Sequence, residues 1–138
     1  MAIADFLLRP IGIIRSSLTD RHAAPKQGHE GAPDAWVEID LQYAGGLLGL
    51  EEGAEVILIT WLHESDREVL RVRPRRDPNR AITGVFNTRS PDRPNPLGLH
   101  RVTIREINGS QLKVGPLEAI DGTPVVDIKR VLTNCHDS

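Results

Sequence analysis

The sequence predicts a mainly β protein whose short antiparallel strands either close into a barrel or wind into a tight sheet. Three observations lead there. Apolar residues recur with a period of two in several short stretches, clusters of glycine and proline separate those stretches, and no segment sustains the 3.6-residue period of a long helix. A length of 138 residues suits one core, so the expectation is a single domain over residues 1–138.

The first strand follows Pro10 as Ile11-Gly12-Ile13-Ile14-Arg15-Ser16, and Ala35 to Leu41 alternates apolar and polar residues as a half-buried strand does. Val56 to Leu62 is continuously apolar apart from Thr60 and rich in β-branched residues, which predicts a central strand covered on both faces. Weaker alternation over Glu68 to Arg73 ends at Pro74, and Ile82 to Asn87 reads as a strand feeding a proline-rich loop. Leu99 to Ile107 alternates without a break. Asn108-Gly109 then supplies positive-φ residues for a tight hairpin, with Gln111 to Val114 returning. The glycines between Gln42 and Leu50 leave room only for a short helical turn over Tyr43 to Leu48, and Val125 to Leu132 fits either a strand or a short helix. Residues 19–34 form a long loop without apolar periodicity, the kind of segment that carries function.

Composition narrows the function. Apolar residues make up 39% and charged residues 26%, as in soluble globular proteins, and the longest apolar run is far short of the roughly 20 residues that span a bilayer. The N-terminus lacks the order of a signal peptide, so the expected location is cytoplasmic. A single cysteine, Cys135, excludes an internal disulfide and a multi-thiolate zinc site; histidines 22, 29, 63, 100 and 136 show no metal-motif spacing, so no metal is expected. Net charge is −2, yet eight arginines between Arg67 and Arg93 face only Glu68, Asp77 and Asp92. That local excess suits a polyanion.

The segment Gly84-Val-Phe-Asn-Thr-Arg-Ser-Pro-Asp-Arg-Pro-Asn-Pro-Leu-Gly98 holds two arginines, three prolines and two glycines, which no regular element accommodates. A loop this stiff has little ordering entropy left to lose on binding, and Arg89 and Arg93 offer planar donor forks for carboxylate or phosphate. Dinucleotide, phosphate-loop, nucleophile-elbow and His-Glu-x-x-His signatures are missing, which argues against a Rossmann enzyme. His63 and Glu64 follow the strongest strand and are expected at a pocket rim. Asp121-Gly122-Thr123-Pro124 reads as a tight turn, and Asp127 and Lys129 share a strand face as an ion pair.

Together with Ile11 to Ser16, Trp61-Leu62-His63 and Asp121-Gly-Thr-Pro-Val-Val-Asp-Ile-Lys129, the proline segment resembles the TsaA-like (YaeB, TrmO) family over about residues 10–132. The resemblance implies a small single-domain antiparallel β-barrel with short helical turns. It also implies an S-adenosyl-L-methionine-dependent methyltransferase of non-Rossmann type, acting as a homodimer with the cofactor near the subunit interface. The family's best-known members methylate N6 of N6-threonylcarbamoyladenosine beside the tRNA anticodon. Carried onto this chain, the resemblance places Pro25, Lys26 and Gln27 in a first cofactor loop and His63 and Glu64 at a second contact. Arg89 and Leu99 fall in the central motif, and Asp121, Gly122, Thr123 and Pro124 form a last loop. Arg89 suits the methionine carboxylate; Asp127 and His63 are the candidates for assisting proton removal. Arg73, Arg75, Arg76 and Arg93 are expected on RNA or another substrate.

The chain departs from the family pattern at Asn87 and Asp92, where a small residue and an aromatic are common, and at Arg130-Val131, where Pro-Tyr is usual. At this length no additional C-terminal domain, of the kind found in longer tRNA-methylating members, is expected. A smaller methyl acceptor, or a module that binds the cofactor without turnover, therefore stands beside the tRNA reading.

Overall fold

The computed structural model describes residues 3–22, 24–25 and 28–132. Its strands are β1 (Gly12–Arg15), β2 (Ala35–Ile39), β3 (Glu55–Trp61), β4 (Arg71–Val72), β5 (Thr83–Gly84), β6 (Leu97–Asn108), β7 (Gln111–Gly115) and β8 (Pro124–Arg130). Six of them close a barrel in the order β1-β2-β7-β6-β3-β8, every neighbour antiparallel, with β8 pairing both β3 and β1. β4 and β5 form a separate two-stranded ribbon. The expected barrel is the observed one.

Period-two patterning decides what fills it. Ile14, Val37, Val56, Leu58, Ile104, Leu112 and Val125 point inward and are fully shielded from solvent. β3 corrects one expectation: Val56, Leu58 and Thr60 are buried, while Ile57, Ile59 and Trp61 lie half-exposed on the outer face, so the run is covered on one side only by this chain. Cross-strand neighbours extend that outer apolar face, with Trp61 opposite Leu97 and Ile59 opposite Leu99.

The β6–β7 hairpin is present with a different tip. Asn108 is the last strand residue, paired with Gln111, and only Gly109 takes positive φ, at +62°. The strands expected over 68–73 and 82–87 shrink to the two-residue β4 and β5. Pro74 removes a ladder donor and opens a 3-10 turn at Pro74–Arg76, and Val85–Asn87 turns in 3-10 form as Val85 becomes buried. Residues from 124 form strand rather than helix, because β8 finds open edges on both sides. A 3-10 segment spans Leu41–Leu47, started by Asp40, whose carboxylate accepts from the Gln42 N–H.

Candidate functional site

The proline loop packs against one end of the barrel, between β5 and β6, and owes its shape to its own side chains. Thr88 Oγ1 accepts from the Ser90 N–H, and Ser90 Oγ accepts from the Asp92 N–H. Arg93 turns inward: Nε donates to the Ser90 carbonyl at 2.7 Å and Nη2 to the carbonyls of Val85 and Thr88 at 2.7 and 2.6 Å. Its guanidinium thus braces the loop from within and is committed to these carbonyls rather than displayed to a substrate. Arg67 closes the outer side, donating to the Pro94 carbonyl at 2.6 Å and lying 5.0 Å from the Trp61 ring centroid.

Asp92 is a clamp. It accepts from the Arg21 guanidinium at 3.2 Å and from the Asp66 N–H at 2.9 Å, while Arg21 also donates to the Glu64 carbonyl at 2.6 Å. Three segments distant in sequence meet there: the 19–34 loop, the turn after β3 and the proline loop. Burial raises the Asp92 carboxyl, but the Asp66 N–H and Arg21, with the charge of Arg76 nearby, outweigh burial and hold it below the ordinary aspartate value. A carboxyl lowered in the folded state contributes stability that is complete above its unfolded value and lost as pH falls through the folded one. Wild-type protein should therefore lose stability below about pH 4, and Asp92→Asn should lose that component of the acid dependence. Urea melts near neutral pH and in acid check this; equal acid losses in both proteins would remove the role from Asp92.

Beneath the loop lies a cleft of about 220 Å³. Pro25, His63, Glu64, Arg89, Leu99 and Thr123, all expected on sequence grounds, line it together. Arg89 is exposed, and its guanidinium has no hydrogen bond or ion pair among the described residues. Lys26 and Gln27 lie outside the described residues. Asp121, Gly122 and Pro124 do not reach the cleft. The Asp121 carboxylate accepts from the Ser16 N–H at 3.0 Å, Gly122 turns the chain with φ of +84°, and Pro124 pairs with Ile13. Asp127 lies away from the cleft as well, 3.7 Å from Lys129 in the expected ion pair, with its carboxylate accepting from the Ile128 N–H. Of the two acid-base candidates only His63 stands at the cleft.

A second, larger hollow of about 780 Å³ adjoins the first and shares Arg21, Arg76, Arg89, Ser90 and Pro91 with it. Arg73, Arg75, Arg76 and Arg80 line it on the β4–β5 ribbon. Arg75 and Arg76 hold φ of +53° and +55°, a left-handed backbone uncommon for residues other than glycine. Arg75 pairs with Glu30 at 2.7 Å, and Arg73 donates to the Arg80 carbonyl at 2.6 Å.

The cleft also contains residues that sequence reasoning missed. His100 lies at its floor, 5% exposed, between the Thr60 hydroxyl at 2.6 Å from Nε2 and Glu118 Oε1 at 2.5 Å from Nδ1. The signal was phase: Gly98, His100, Val102 and Ile104 share the inward face of β6, so a histidine stands at a core position. Glu118 comes from the loop between β7 and β8, which carried no pattern. Among the described residues no group of three or more His, Cys, Asp or Glu is placed to hold a metal ion, and no helix is long and apolar enough to cross a membrane.

Residues 13–137 match the family of tRNA-methyltransferase O N-terminal domains. This chain belongs to that family. A protein of Archaeoglobus fulgidus described as an "S-adenosyl-L-methionine-binding protein" is 40% identical over 124 residues, covering 90% of this chain and 88% of the relative. A "Probable S-adenosyl-L-methionine-binding protein" of Methanothermobacter thermautotrophicus is 41% identical over 129 residues, covering 94% and 92%. A crystal structure of TrmO superposes with a TM-score of 0.76 at 28% identity, covering all of this chain and 62% of the TrmO chain. The barrel is thus a fold shared with TrmO, and this chain spans under two thirds of that TrmO.

Proposed function

We propose that this chain is an S-adenosyl-L-methionine-dependent methyltransferase, with N6 of N6-threonylcarbamoyladenosine in tRNA as its acceptor. The observation that carries the reading is the meeting of two hollows at Arg76 and Arg89: a partly apolar cleft of cofactor character and an arginine-lined basin suited to a polyanion. The residues fit the cofactor. Arg89 leaves a guanidinium free for the methionine carboxylate, and Pro25, Leu62, Leu99 and Ile120 give apolar surface for the adenine. The cofactor supplies an activated methyl group; the chain binds it, keeps water from it and orients the acceptor. His63, exposed at the rim, is placed to take a proton from an acceptor, whereas Asp127 would reach the cleft only from a second subunit. A homodimer accords with the outer apolar face of Trp61, Ile59, Leu97 and Leu99, since Leu97 and Leu99 line the cleft as well.

Calorimetry on protein whose mass is fixed by light scattering is the first measurement. Arg89→Ala should bind S-adenosyl-L-methionine about 10–100-fold more weakly; unchanged affinity would take the carboxylate away from Arg89. Mass spectrometry of tRNA nucleosides from a strain lacking the gene then addresses the acceptor. Persistence of methylated N6-threonylcarbamoyladenosine would overturn the tRNA assignment. A smaller acceptor is the second reading, favoured by Asp92: as a clamp bound to Arg21 it gives no stacking surface for a base.

A further inference from the structure

Two carboxylates line the cleft, Glu64 exposed like Arg89 and Glu118 largely shielded. Arg89 is exposed, whereas the Glu118 side chain is 14% exposed and its histidine partner 4%. Among the described residues Glu118 uses only Oε1, on His100 Nδ1; no buried side-chain oxygen is left without a partner, so Oε2 is open to solvent, on a residue that lines the cleft. Against a carboxylate, which can only accept, Nδ1 is the donor of the His100–Glu118 bond, and Nε2 lies 2.6 Å from the Thr60 hydroxyl. Gly98 pairs directly with Thr60, and without a side chain it lets Thr60 and His100 meet beneath it. Four residues on β3, β6 and the β7–β8 loop thus combine to hold the Glu118 carboxyl in place where desolvation is costly.

We infer that Glu118 is the counter-charge for the sulfonium of S-adenosyl-L-methionine, with His100 and Thr60 as positioning residues, so that the cleft separates the methyl donor from its uncharged thioether product. The inference rests on the cofactor reading above. Of the cofactor's two positive charges, the α-ammonium shares a carbon with the carboxylate and stays beside Arg89 at the exposed end. The sulfonium lies two methylenes further on and is the charge that reaches the shielded floor. Transfer of the methyl group turns the sulfonium into a thioether, so the attraction to Glu118 ends with the reaction and release of S-adenosyl-L-homocysteine becomes easier. The gain is selective because the carboxylate is fixed before binding and loses no orientation entropy.

Calorimetry with the two ligands tests this without any methyl acceptor. The wild-type protein should bind S-adenosyl-L-methionine at least about tenfold more tightly than S-adenosyl-L-homocysteine. Glu118→Gln should abolish that preference by weakening S-adenosyl-L-methionine alone, and unchanged S-adenosyl-L-homocysteine affinity reports an intact fold. His100→Leu, which leaves Glu118 unheld, should reduce the preference; His100→Asn, with an amide N–H near the Nδ1 position, should restore most of it. Equal affinities in the wild type, or a ratio unmoved by Glu118→Gln, overturn the inference and leave the cofactor reading standing. Failure of the wild type to bind either ligand overturns the cofactor reading itself.

Discussion

Arg93→Ala is expected to lower the unfolding free energy by about 3 kcal/mol and to abolish ligand binding in the cleft. The guanidinium of Arg93 satisfies carbonyls at 85, 88 and 90 from one partly buried position; alanine leaves those of Thr88 and Ser90 without that donor, while Val85 keeps the Thr88 N–H and hydroxyl. Hydrogen bonds from a charged donor contribute about 1.5–3 kcal/mol each, less where water can replace the donor, as it can on the loop's outer side. Arg93→Lys should recover only a small part, because a point charge on a flexible stem cannot reproduce a rigid fork that spans separate acceptors. Urea unfolding with an unchanged m-value measures the loss. A midpoint equal to wild type in Arg93→Ala would mean that the prolines hold the loop unaided.

The second large effect belongs to Gly98. A Cβ there would lie 2.6 Å from Thr60 Oγ1 and 2.7 Å from His100 Nε2, so Gly98→Ala must displace the hydroxyl, the imidazole or β6 itself. Overpacking a full core costs about 1–3 kcal/mol, and breaking the buried Thr60–His100 bond adds about 1–3 more, so a total near 3–4 kcal/mol is expected. Thermal unfolding measures it, and two-dimensional NMR of the imidazole nitrogens would report the lost Thr60 contact. Wild-type stability in Gly98→Ala would show that the inside of β6 yields more easily than its burial implies.

These two residues also mark what the sequence made legible. The barrel followed largely from alternation, since β2, β6 and β7 each carry a period-two pattern that survives in the burial of their inward side chains, whereas β3 is apolar throughout and only the fold decides which of its faces is buried. Gly98 was visible as the end of a motif, but its opposition to Thr60 depends on the β3–β6 register, which no local pattern encodes. Glu118 was hidden for the same reason: its partner His100 is 18 residues away and on another element. Arg93 was expected on substrate, and only the folded backbone presents three carbonyls to it. Asp121 was expected at the cofactor from the resemblance, and in the folded chain its carboxylate accepts from the Ser16 N–H.

The double pairing of β8 sets the order in which this molecule can be assembled. The arginine basin and the proline loop are encoded before residue 99, so a chain emerging from the ribosome displays them early. The cleft still lacks Glu118, Ala119, Ile120 and Thr123, and the barrel stays open between β1 and β3 until Pro124–Arg130 enters between them. The same late step completes the barrel wall and the site. A ligand held in the cleft therefore acts on the junction between the first and last parts of the chain, and its binding free energy opposes the reopening of the barrel at β8.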